Sequence, residues 1–172
     1  AERLGRNEDA EKWYRESLAK DPEDSFGISA YADFLLDHGR PQEALTLLRG
    51  REAADNLLLR LVIAEKRTSA PELELHRKML KERFEAEERR GESIHARERA
   101  MFALEVEQNS KEAAELAKQN WYIQKEALDL LVLFRASVAA KDAAGMKEAR
   151  DWVQRTGWAD VRVKKILDES VR

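Results

Sequence analysis

Gly5 is followed five residues later by Ala10, and 34 residues farther on the same pair returns as Gly39 and Ala44. A helix breaker followed at a fixed offset by a small residue, and repeated at a fixed period, constrains the fold more than any local propensity does. It requires stacked copies of one supersecondary unit. "LGRNEDAEKWYRESL" and "HGRPQEALTLLRG" are two such copies. A third is "QNSKEAAELAKQNW", where Asn109, Ala114 and Trp121 keep the offsets and Ala114 lies 70 residues beyond Ala44, room for two periods. The intervening copy falls near residues 54–94, and a fifth follows as Lys141, Met146 and Val153.

These spacings resemble the tetratricopeptide repeat, a 34-residue helix-turn-helix unit with small residues where its helices cross. The likeness is clearest in "YADFLLDHGRPQEALTLL", which places Tyr31, Ala32, Leu35, Gly39, Ala44 and Leu48 as the family does. Glu126, Lys141 and Met146 depart from the family pattern, standing where proline, the inter-helix glycine and the small crossing residue are usual. The whole stretch also looks like the carboxy-terminal part of uncharacterised bacterial proteins of this class. The resemblance implies an all-α fold, a right-handed superhelical array of antiparallel helix pairs with a carboxy-terminal capping helix. The units are 1–24 (partial), 25–53, 54–94, 95–126 and 127–157, with the capping helix at 160–170, in a single domain. With Gly5 as an inter-helix turn, Ala1–Leu4 reads as the tail of a first helix. The chain then reads as a fragment whose helix carrying Trp13, Tyr14 and Leu18 needs a cover, and a homodimer through the amino-terminal end is one way to supply it.

Local signals mark the helices. Asn7 and Ser25 are placed to cap, Asp21-Pro22 and Gly50 to stop, and Pro41 to occupy a first helical turn. Ser69 and Glu72 have the spacing of a capping box for a long helix over Pro71–Arg90, braced by Glu74/Lys78 and Lys78/Glu82 at i,i+4. Further helices are expected at Ser93–Gln108, Ser110–Ile123, Glu126–Ala140, Ala143–Arg155 and, capped by Asp160, Val161–Glu169. Trp13, Trp121 and Trp152 are read as rings filling gaps between hairpins, and Trp158 as a staple for the last helix.

Charge excludes several function classes. Lys and Arg number 31 against 34 Asp and Glu, interspersed, with a net charge of −3, so neither the basic footprint of a nucleic-acid binder nor a polybasic membrane patch is present. "LDLLVLF" is far short of the ~20 apolar residues of a spanning helix. A soluble protein is expected, cytoplasmic or exported. Cysteine is absent, which removes disulfide and thiolate chemistry. His38, His76 and His95 are scattered without metal spacing, and no phosphate loop or nucleophile elbow occurs. No cofactor and no catalysis are expected.

What remains is a binding surface for a protein or peptide, either in a concave groove or at exposed repeat ends that assemble. In the expected register the groove carries Phe26, Ser29, Asp33 and Leu36 from one repeat. Leu58, Val62 and Glu65 follow from the next, then Arg99, Ala103, Leu131 and Arg135. Leu58, Val62 and Leu131 serve equally well as core. Where some family members hold a terminal carboxylate with Lys and Asn, this chain has Ser29 and Asp33, which disfavours that form of recognition.

Overall fold

The computed structural model describes residues 1–91 and 96–169. These residues are helical, with no strand among them: a short 3-10 turn at Glu2–Leu4, then α1 (Asn7–Lys20), α2 (Ser25–Asp37), α3 (Pro41–Leu48), α4 (Asp55–Thr68), α5 (Leu73–Arg89), α6 (Ala96–Glu105), α7 (Ser110–Ile123), α8 (Ala127–Ala140), α9 (Ala143–Thr156) and α10 (Val161–Glu169). His95 and the expected start of α6 at Ser93 lie outside the described residues. The helices form two compact units, one of α1–α5 and one of α6–α10 with the first six residues.

In the first unit each helix packs on the next, and α2 also packs on α4. The centre is α4, buried without interruption from Leu57 to Glu65. A helix surrounded on all sides must be apolar all round, and "NLLLRLVIA" nearly is. Asp24, not Ser25, caps α2, its carboxylate accepting from Phe26 N at 3.0 Å. Pro41 opens α3 as expected. Ser69 does not join a capping box. It closes α4 in the left-handed conformation at φ 54°, and no side chain caps α5. Lys78 and Glu82 meet along α5 at 3.8 Å. Tyr14 of α1 stacks on Tyr31 and tilts against Phe34 of α2, at 5.5 and 5.6 Å between centroids.

The second unit repeats the arrangement. Each of α6, α7 and α8 packs on its successor, α6 also packs on α8, and α10 lies against α8. Here α8 is the sunken helix, buried over Asp129–Phe134 and at Ala136 and Ser137. Lys141, standing where glycine was expected, adopts the glycine conformation at φ 55°. The small residues at the α8–α9 crossing are Gly145 and Ala149, both buried, whereas the sequence reading placed Met146 there. A side chain on Gly145 would collide with Ser137 Oγ and bring its Cβ to 3.3 Å from that of Ser137. Gly145→Val should therefore cost about 1–3 kcal/mol, the usual penalty of overpacking. Ser137→Ala removes the hydroxyl but keeps the Cβ, so it should restore only part of the loss in a urea midpoint.

The opening residues form a short 3-10 turn over Glu2–Leu4. Glu2 accepts from Arg162 at 2.9 Å, the Arg3 guanidinium lies 4.1 Å above the Trp158 ring, and Gly5 closes the 3-10 turn at φ 73°. Asp160 caps α10 as expected, accepting from Arg162 N. Of the α1 residues named as needing a cover, Tyr14 is in the aromatic cluster and Leu18 lies near Gly27, which leaves Trp13 exposed.

Candidate functional site

The residues proposed for a groove fall into three physical situations. Leu36, Leu58, Val62, Ala103 and Leu131 are buried, and the core alternative describes Leu58, Val62 and Leu131, which have no exposed surface. α4 and α8 are covered on several sides along their middles, so Leu58, Val62 and Leu131 are sunk whichever way they face. Ser29, Asp33 and Glu65 are engaged internally. Ser29 Oγ donates to Phe26 O at 2.9 Å, and Asp33 takes both arms of the Arg60 guanidinium at 3.0 and 2.7 Å. Glu65 Oε1 stands 2.7 Å from His76 Nδ1. Phe26 alone among them is fully in solvent, 77% exposed, while Arg99 and Arg135 are half-buried.

Buried charge explains most of these engagements. Arg60 is 3% exposed and sits in the middle of α4, so it needs a carboxylate from a neighbouring helix, and Asp33 on α2 supplies it. In the second unit Arg97 of α6 reaches Asp129 of α8 at 3.2 Å, and Asn120 donates to the same carboxylate at 2.8 Å. Each unit thus clamps two alternate helices with an Arg–Asp pair. Sequence reasoning missed Arg60 and Asp129 as partners, although a charge inside an apolar helical run is the signal for them.

Two carboxylates give the protein opposite pH dependences. Arg40 and Arg15 donate to Glu11 and hold its carboxyl at about 2 against an ordinary 4.5. Its folded value is the lower one, so the stability it contributes is complete above pH 4.5 and is lost as the pH falls toward 2. Burial pushes the Glu65 carboxyl up, against the hydrogen bond from His76. The stability tied to its protonated form is present at low pH and is lost as the pH rises through its folded value. Glu11→Gln should accordingly lower the melting temperature at neutral pH and flatten the acid limb between pH 4.5 and 2. Thermal melts across that range will read it.

An open cleft appears elsewhere, at the junction of α7 and α9. It encloses about 360 Å³ over Trp121 and Trp152, with Lys125, Lys147, Asp151 and Arg155 around it and Glu148 and Ala144 completing the wall. The two rings meet edge to face at 5.3 Å, Trp158 packs on Trp152 at 5.4 Å, and the Lys125 ammonium lies 5.4 Å from the Trp121 centroid. Lys147 is paired with Asp151. Among the described residues neither Lys125 nor Arg155 has a carboxylate partner. On the same last turn of α7, Tyr122 and Ile123 are 73% and 76% exposed.

No group of three or more His, Cys, Asp or Glu side chains among the described residues is arranged to hold a metal ion. His38 closes α2, its Nδ1 2.7 Å from Phe34 O. None of the described helices is long and apolar enough to cross a membrane. No protein-family model, no curated protein and no solved structure matches the chain.

Proposed function

We propose that the protein is a non-catalytic interaction module of tetratricopeptide-like hairpins that takes a segment of a partner protein at the α7–α9 cleft. The observation that carries this reading is the cleft itself: an indole floor with two cations that have no carboxylate partner among the described residues, beside two large apolar side chains held in water. Apolar surface rimmed by charge is the composition of a recognition site. The packing of α2 on α4 and of α6 on α8 supports a hairpin array, because in such arrays the first helices of successive hairpins touch. The binding surface then differs from the groove read in sequence, where Leu58, Val62 and Leu131 are sunk and Asp33 is committed to Arg60.

Selection of a random peptide library on the immobilised protein tests the proposal. Peptides enriched on the wild-type chain should be lost on a Lys125→Glu/Arg155→Glu variant that retains its melting temperature. Enrichment that survives this variant would place recognition elsewhere. No enrichment at all would remove peptide binding.

A further inference from the structure

The chain carries, on its other unit, a surface complementary to the cleft. The α1–α2 connection reads Asp21-Pro22-Glu23-Asp24-Ser25-Phe26; Asp21, Glu23 and Phe26 are exposed, and Glu23 is paired with Arg51 at 3.0 Å. Phe26 is the most exposed large apolar side chain among the described residues. Its position is fixed, since its amide donates to the capping Asp24 and Ile28 N to Asp24 O at 2.9 Å. A projecting ring on an already ordered turn loses little entropy when it docks. We propose that the cleft over Trp121 and Trp152 receives the Asp21–Phe26 turn of a second copy of this chain.

The fit is one of shape and charge together. The Phe26 ring meets the half-buried Trp152 indole, an arrangement that aromatic side chains favour, and Asp21 approaches Lys125 and Arg155, the two cations of the lining without a carboxylate partner among the described residues. Glu148, an acid of the wall with no ion-pair partner among the described residues, sets the orientation, because the Asp21 carboxylate must point away from it. The turn and the cleft are different surfaces, so the contact is heterologous and builds a closed ring or an open chain. One turn in one cleft covers less area than a standard stable interface, so the association is weak and concentration-dependent. This inference rests on reading the cleft as a binding site, and a copy of the chain would compete there with a partner segment.

Sedimentation velocity from micromolar to near-millimolar protein tests it by charge exchange. The wild-type chain should sediment faster as concentration rises. Phe26→Ala, Asp21→Lys and Lys125→Glu/Arg155→Glu should each stay monomeric with unchanged melting curves. An equimolar mixture of the last two should associate again, since each then offers the charge the other lacks. A wild-type chain that is monomeric throughout overturns the self-contact and leaves the partner-binding proposal to the peptide selection. Association that persists in the Phe26 and Lys125/Arg155 variants, or a mixture that does not associate, overturns it as well.

Discussion

Trp121→Ala should destabilise the protein by about 3–5 kcal/mol, the range for truncating a large aromatic side chain in a core. Trp121 is 1% exposed and among the largest fully buried side chains, and its ring meets that of Trp152 in a T-shaped contact at 5.3 Å. Its removal leaves a cavity below the cleft and takes away an aromatic pair worth about 0.5–1.5 kcal/mol beyond its area. Urea denaturation should show a lower midpoint with little change in slope. An unchanged midpoint would mean that the ring is dispensable to the core. Trp121→Phe should recover part of the loss.

Asp33→Ala should cost about 3 kcal/mol, near the lower end of the ~3–5 observed when a buried pair loses one member. The low end applies because Arg60 is 3% exposed while a fifth of the Asp33 side chain still meets water. The damage comes from a guanidinium left inside α4 without its counter-charge. Arg60→Met on the same background should therefore restore most of the stability, since an apolar side chain of similar length suits that position. Asp33 was also a candidate for partner contact, and the two roles are separable. A variant that unfolds earlier identifies a structural residue, whereas one that keeps its midpoint and loses a ligand identifies a contact.

The helices were legible because their signals are local. Pro41, Gly50 and Asp160 each act within a turn or two of themselves, and the helices lie close to where these residues put them. The 34-residue recurrence likewise located the small residues Ala10 and Ala44, both buried. The surface was less legible, for two physical reasons. Whether Leu58 lines a groove or fills a core depends on how many helices surround α4, and a single helix's pattern does not hold that number. Whether Asp33 is available to a ligand depends on Arg60, 27 residues away across a helix contact. The cleft was the least legible of all. Trp121 and Trp152 were read separately as core, and nothing in their spacing reveals that their rings touch or that Lys125 and Arg155 stand beside them without a carboxylate partner among the described residues. The opening residues show the same limit, because their partners Trp158 and Arg162 lie at the far end of the sequence.

The most direct test of partner binding at the α7–α9 cleft follows the four tryptophan indole N–H signals by nuclear magnetic resonance while a library-selected peptide is titrated in. Trp121 and Trp152 should shift together and saturate at one stoichiometric equivalent, with a smaller response at Trp158, which packs on Trp152, and none at Trp13 on α1. Movement of the Trp13 signal with Trp121 and Trp152 unchanged would contradict the account and place binding on the first unit.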